Sequence, residues 1–446
     1  MSNRDRKRSR GALALVVVLS ALLAAGNTRA QSSDFCGCAG SPNSLGSFSS
    51  GDPSTWPAGT TQVNDFYTGC EDALRVPVPA DGVLVFDSID VGPSSRGCNL
   101  SLSFVTNAAN TPVTLLVKGN VTVRSNGRIN VSALRGGDGS GGAAGSPGIG
   151  GPGGFAGGEG AYQIVNFGAD GGSGVGPGGG TGGVASPRAA PGGGTLLSVP
   201  ELRPLVGGSG GGGGASSDAS AGCSGGGGGG GGGGLLIAAN GTIDVQTGGI
   251  VWADGGLGGT RGNGSCSGGG SGGSGGALRL VARTIQGGGA ILARGGNAGC
   301  CGEFPSNGGL PGRIRLEAIT NNFSASGTDP IAVRAPAPGP LVNPIAPAVR
   351  ITKIDGNATP ATPIGYLNQI DMLVNAPGAI QIDLATTDVP AGTDVEVTVK
   401  PKVGGAPTSQ RVTLASCTAG ACAAASSFNL VAGAYIVEAR ATFQTP

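Results

Sequence analysis

The chain has 446 residues, of which 12% are charged and none is histidine, and its formal net charge is +1. So few charges, against roughly 25% in ordinary domains, with no clustering of Lys and Arg, exclude a nucleic-acid partner; the lack of histidine excludes Ser-His and Cys-His nucleophile pairs. Glycine (94) and proline (29) exceed a quarter of the chain, yet a 38% hydrophobic share leaves enough for a core, and with aromatics at 4% that core must be built from Val, Ile, Leu and Ala.

The first segment carries Arg4, Arg6, Lys7, Arg8 and Arg10, then an uncharged apolar run from Ala12 to Ala25, then Thr28-Arg29-Ala30. This three-part layout predicts a signal peptide over residues 1–30, cut after Ala30. The apolar run is shorter than the roughly 20 residues of a membrane span, and no second one follows. The expectation is a secreted protein, extracellular or on the outer cell surface with the periplasm as a further possibility, and without a transmembrane span after cleavage.

All ten cysteines lie beyond the cut: Cys36, Cys38, Cys70, Cys98, Cys223, Cys266, Cys300, Cys301, Cys417 and Cys422. An even number in an exported chain predicts disulfides. Metal ligation is the weaker reading, since histidine is missing and no two well-spaced CxxC pairs occur. Cys417 and Cys422 are near enough to staple one loop, and Cys223 with Cys266 would tie two glycine-rich loops. Cys300-Cys301 suits a vicinal or redox pair, or two separate structural bridges, of which the last is preferred. No cofactor is expected.

Residues 31–80 read as an irregular, disulfide-tied cap with one aromatic cluster, Trp56, Phe66 and Tyr67. From Gly82 short alternating runs follow: Val83 to Phe86, Ile89 to Val91, Leu100 to Val105, Val113 to Val117, Val121 to Val123 and Ile129 to Val131. Alternation punctuated by Gly and Asn predicts strands. One unit then recurs. Leu115-Leu116-Val117 leads through Val121 and Val123 to Ile129 and Val131; Leu235-Leu236-Ile237 leads through Ile243 and Val245 to Ile250 and Trp252. Leu278-Arg279-Leu280 leads through Ile285 to Ile291 and Ala293; Ile314-Arg315-Leu316 leads through Phe323 to Ile331 and Val333. The first three units exit through Gly-Gly, and the fourth loses it.

Such units cannot bury their apolar faces alone and must stack. The expected body, residues 81–334, is a right-handed parallel β-helix with Val117, Ile237, Leu280 and Leu316 in one inward column. An antiparallel sandwich or meander is the competing arrangement. An insertion over 136–234 holds six G-x-y triplets from Gly145 through Tyr162 and ten consecutive glycines from Gly225 to Gly234. With little proline it is not collagen. Its glycines either form a flexible loop or pack as extended helices; the second is expected for Gly225 to Gly234, the first for Gly171 to Gly183. A Pro/Ala linker over 335–347 then leads to a small immunoglobulin-like β-sandwich over 348–446. The fold class is therefore all-β throughout.

The stretch Asn107-Ala108-Ala109-Asn110-Thr111-Pro112-Val113-Thr114-Leu115-Leu116, the Gly-Gly exits and Gly272-Gly273-Ser274-Gly275-Gly276-Ala277-Leu278-Arg279-Leu280 resemble a group of exported bacterial glycine-rich proteins of unassigned function. The resemblance covers roughly residues 80–320. It implies a β-helix-like shape, similar to surface adhesins and pectate-lyase-like enzymes, and transfers no catalytic motif.

Polysaccharide chemistry needs convergent carboxylates. The repeat region offers Asp138, Glu159, Asp170, Asp218, Asp244, Asp254, Glu303 and Glu317, scattered singly, with Asp244 and Asp254 on one expected coil and Arg279 and Arg294 on the next. Gly136-Gly137-Asp138-Gly139 is an isolated fragment of a calcium-binding repeat, and no glycine tract continues into a phosphate-binding Gly-Lys-Ser/Thr. No catalytic, cofactor or metal residue is assigned. The expected function is a non-catalytic structural or adhesion protein in contact with extracellular polysaccharide or cell-surface components; the alternative is a polysaccharide-active enzyme or carbohydrate-binding protein.

Overall fold

Aliphatic residues at every second position give each short run one apolar face, and such runs are stable only when they pair and pack face to face. The computed structural model describes residues 34–65, 70–162, 168–185, 190–216, 223–262, 266–300, 306–341, 347–360, 365–402, 404–415, 417–418 and 420–443. The expected signal peptide, Phe66, Tyr67, Asp218, Cys301 and Glu303 lie outside the described residues. Contacts divide the chain into Met1–Asp34 and Phe35–Pro446, and every strand among the described residues lies in the second unit.

The chain is all-β: no α-helix occurs among the described residues. The body contains β1 (Ser47–Ser49), β2 (Thr61–Asp65), β3 (Glu71–Pro77), β4 (Val83–Phe86), β5 (Ser88–Val91), β6 (Asn99–Val105), β7 (Val113–Val117) and β8 (Val121–Val123). It continues with β9 (Gly127–Asn130), β10 (Gly234–Val245), β11 (Ile250–Trp252), β12 (Ala277–Gln286), β13 (Ala290–Leu292), β14 (Arg313–Asn321), β15 (Thr328–Asp329) and β16 (Val333–Ala335). Nine strands form a first sheet, in the order β1-β5-β8-β10-β12-β14-β16 with β4 and β7 alongside, and seven form a second, β15-β13-β11-β9-β6-β3-β2. All pairs are parallel except β2 with β3. The segment read as an irregular cap thus supplies three strands, and β3 joins the second sheet beside β6.

The inner faces of both sheets share one aliphatic core, which includes Val117, Ile237, Leu280 and Leu316. The column itself differs from expectation: Ile237 pairs with Leu115, and Leu115 with Leu84, while Val117 pairs with Ala239 and Phe86. A slip of two residues keeps every side chain on its face, so alternation alone does not distinguish these registers. At the far end of the unit the slip is by one residue. Val251 is the partner of Ile129 and Ile291, so Ile250 and Trp252 turn outward.

Between β9 and β10, and between successive coils thereafter, the chain leaves the sheets and returns as glycine-rich segments. Gly225, Gly228 and Gly231 donate to the carbonyls of Ala161, Gly158 and Phe155; Gly226, Gly229 and Gly232 to Gly268, Ser271 and Ser274; Gly227, Gly230 and Gly233 to Gly137, Leu134 and Val131. The carbonyls of Gly225, Gly226 and Gly227 in turn accept from Gly145, Gly214 and Gly259. Partners repeat every third residue and point in successive directions, which is the polyproline II repeat of three residues per turn without internal hydrogen bonds. Segment 225–234 thus lies at the centre of six neighbours, a hexagonal lattice of extended glycine helices. Two further segments, 207–216 and 268–276, are surrounded in the same way.

Glycine is required there by close approach: a Cβ on Gly228 would collide with the carbonyl of Gly211, and one on Gly229 with that of Gly256. The packed reading of Gly225 to Gly234 accords with this structure, whereas the flexible reading of Gly171 to Gly183 is corrected. Gly171 donates to Gly183, Gly174 to Gly180, and Gly180 and Gly183 to Gly210 and Gly213. This segment lies on the lattice edge, where paired amides offset the large entropy loss of ordering glycine.

The C-terminal strands are β17 (Ala348–Ile354), β18 (Asn357–Ala358), β19 (Met372–Val374), β20 (Gly378–Thr387), β21 (Asp394–Pro401), β22 (Thr408–Thr413), β23 (Cys417–Thr418), β24 (Ala421–Leu430) and β25 (Gly433–Ala441). They form two antiparallel sheets, β18-β17-β20-β24-β23 and β19-β25-β21-β22, which share a second core. The C-terminal region contacts the lattice through polar groups. The Lys400 ammonium donates to the carbonyls of Gly174 and Gly176, Glu438 accepts from Gly176 N–H at 2.7 Å, and Asn368 donates to Gly157. Residues 339–341, within the expected linker, lie against the first sheet, where Arg279 donates to the Pro340 and Leu341 carbonyls and Glu317 accepts from Gly339 N–H.

Candidate functional site

Covalent ties fix loop geometry, and the cysteines serve that purpose here. Bridges join Cys36 to Cys38, Cys70 to Cys98, Cys223 to Cys266 and Cys417 to Cys422. The last two are pairs anticipated from spacing. Cys300 is also disulfide-bonded. The Cys223–Cys266 bridge closes 43 residues of sequence across two central lattice segments. In the chain-entropy model a loop of that length contributes about 4 kcal/mol. The Cys223→Ser/Cys266→Ser variant is therefore expected to lose up to about that much stability in denaturant titration, and an unchanged midpoint would refute the structural role assigned to this bridge.

The carboxylates considered for catalysis are engaged one by one. Asp138 accepts from the Thr260 amide and pairs with Arg135; the Thr260 N–H, foremost, holds its carboxyl below the usual range. Asp254 pairs with Arg294 at 2.7 Å and accepts from the Arg294 amide. Glu159 pairs with Lys402, Asp170 accepts from the Ala185 amide and Asp244 from the Gln246 side chain. Asp138, Asp170 and Asp254 thus take amides at the lattice edge, where no further helix among the described residues accepts them. Asp244 belongs to the first sheet and Asp254 follows a strand of the second, so the expected coil neighbours do not meet.

Glu317 is different, being buried on the outer side of the first sheet. Arg279 reaches it with two bonds, at 2.9 and 3.1 Å, and Arg315 with a third at 2.6 Å. Burial pushes its carboxyl up, but the Arg279 and Arg315 guanidiniums and the Gly339 amide outweigh burial and hold it below the usual range. Leu236, Ala238 and Val281 on the same outer face are covered by Cys36 and Cys38, with Leu341 packed alongside. The outer face of the first sheet is thus covered around Leu236, Ala238, Val281 and Glu317, while Thr122, Asp244, Arg283 and Ile319 on the same sheet stay partly or fully exposed.

The second sheet differs on its outer side. Leu74, Leu102, Ile129, Val251 and Ile291 point into the core, so their neighbours Arg75, Ser103, Asn130, Trp252 and Leu292 point out, and with Asp329 they stand in one row across six strands. Every member stays partly or fully exposed. Arg128, in the adjoining row, sets its guanidinium 5.6 Å from the Trp252 ring centre and pairs with Glu71 at 2.6 Å. The indole Nε1 is itself buried and has no hydrogen-bond partner among the described residues. Two residues beyond the row, Arg294 and Asp254 form the second ion pair of this face.

Sequence reasoning missed this face, because it aligned Trp252 with the inward positions Val131 and Ala293. The signal available was the tryptophan itself, which is out of scale with Val131 and Ala293 at the aligned positions. No helix among the described residues is long and apolar enough to cross a membrane. Compared with protein-family models, with curated proteins and with solved structures, the chain matches none.

Proposed function

We propose that this chain is an exported, non-catalytic structural or adhesion protein, in which a β-helix-like stack of coils and its glycine lattice form a rigid body bearing an immunoglobulin-like sandwich. The observation that carries the reading is the three-residue hydrogen-bond repeat of the lattice. It makes a long glycine insertion into a stiff body, and three of the carboxylates weighed for catalysis serve as acceptors at its edges. A body of this kind suits a spacer or contact surface, with polysaccharide or other cell-surface material as partner. Disulfides fit an oxidising location outside the cytoplasm.

The test has two parts. Immunogold labelling of producing cells is expected to find the protein on the outer surface or shed from it, and labelling confined to the cytoplasm would overturn export. The purified mature chain, incubated with neutral and anionic polysaccharides, is expected to release neither reducing ends nor unsaturated sugars. Release that disappears in Asp254→Asn would establish the enzyme instead.

A further inference from the structure

We propose that the outward row of the second sheet, centred on Trp252, is a binding platform for an uncharged polysaccharide chain lying across the strands; this rests on the exported, non-catalytic reading above. The argument begins with the tryptophan. The chain has two, and aromatics are 4% of it, yet the aliphatic core is filled at this level by Val251 while the largest side chain stands on the solvent side. An indole bears a broad apolar face, which stacks on the C–H face of a sugar ring while leaving the sugar hydroxyls free.

The second observation is geometric. The row runs Arg75, Ser103, Asn130, Trp252, Leu292, Asp329 in unbroken register. Adjacent strands lie about 4.8 Å apart, so six strands span about 24 Å. One strand spacing is close to the length of one sugar ring in an extended chain, so successive rings meet successive side chains. Ser103 and Asn130 then offer hydroxyl and amide groups on one side of the indole.

The third observation is charge. Arg75, Arg128 and Arg294 are balanced on this face by Glu71, Asp254 and Asp329. Two of the arginines are already held by carboxylates, Arg128 by Glu71 and Arg294 by Asp254. A polyanion would need unpaired cations in a cluster, and a polycation unpaired acids. A neutral polyhydroxyl ligand needs neither, and it can use fixed guanidinium and carboxylate groups as donors and acceptors. The outer face of the first sheet is covered at its centre by Cys36, Cys38 and residues 339–341.

The test uses the full mature chain carrying Trp56→Phe, so that Trp252 is the only fluorophore of its kind. Cellohexaose and xylohexaose are the neutral probes and polygalacturonate the anionic one, with retention on insoluble cellulose and chitin as a second readout. Expected are a change in Trp252 fluorescence with at least one neutral oligosaccharide, and retention that falls at least about tenfold, or about 1.4 kcal/mol, in Trp252→Ala. Ser103→Arg, which places a long side chain in the same row two strands away, should weaken retention even if Trp252→Ala does not fold. Absence of binding by every neutral probe, equal retention of wild type and Ser103→Arg, or binding of polygalacturonate alone would each overturn the proposal. None of these outcomes bears on surface location or on lack of turnover, so the broader reading stands or falls separately.

Discussion

Gly229→Val is expected to destabilise the body by at least about 3 kcal/mol, at the upper end of overpacking penalties, or to prevent folding. Gly229 is in the central lattice segment, and a Cβ there runs into the Gly256 and Leu257 backbone. The obstacle is main chain on every side, which has no rotamer to change and is itself held by bonds to its own neighbours. Moving it would also loosen the bonds of Gly256 to Gly230 and Gly273, each worth about 1 kcal/mol net. Side chains do occur in the lattice: the small Ser209, Ser271 and Ser274 are fully buried in surrounded segments, whereas the larger Leu134, Ile149 and Leu257 lie in peripheral segments and point outward, 61%, 49% and 48% exposed. Gly40→Val is the control, because nothing lies within 4 Å of a Cβ there, and a surface change of this kind stays within about 0.5 kcal/mol. Thermal unfolding of the two variants decides the matter. Equal melting temperatures would mean that the central glycines are not closely packed.

Glu317→Gln carries the second large expectation, a loss of about 3–5 kcal/mol, the range for removing one partner of a buried ion pair. Both side chains of the Arg279–Glu317 pair are 2% exposed, so the variant strands a guanidinium away from water. Replacing both, as Arg279→Met/Glu317→Leu, should restore most of the loss. The pH dependence has a definite sign. The Glu317 carboxyl is held below its ordinary range, so its contribution is fully present above the unfolded value of about 4.3 and is lost as pH falls through the folded one. Denaturant titrations at falling pH should therefore bring wild type and Glu317→Gln together below about pH 4.3. A gap that stays constant into acid would show that the carboxylate charge is not what stabilises the strap over the first sheet.

Local chemistry was enough to place much of this molecule. Alternating aliphatic residues marked the strands from Val83 to Val123, the recurring triplets at Leu235, Leu278 and Ile314, and beyond the linker the runs Val349 to Ile354, Ile370 to Val374, Ile380 to Leu384, Val395 to Val399, Val412 to Leu414 and Ala434 to Thr442, because period two is written into the residues themselves. Short sequence separation and shared context marked two of the bridges. Strand β24 was overlooked because its run of Ala, Ser and Asn carries little apolar contrast, although Cys422, Phe428 and Leu430 from it enter the second core. Strand β3 was overlooked because Glu71, Asp72 and Arg75 obscure its buried Leu74 and Val76.

What only the tertiary structure decided is which segments lie side by side. A glycine helix carries no side chain to specify its neighbour, so the six partners of 225–234 follow from backbone bonds closed over long sequence separations. The same holds for register. A slip of two residues left Val117 in the core but in another column, whereas a slip of one carried Trp252 from the expected interior to the open face of the second sheet. The carboxylates show the same division: Asp138, Asp170 and Asp254 are plainly acids in the sequence, but their role as acceptors for edge amides exists only once the lattice has an edge.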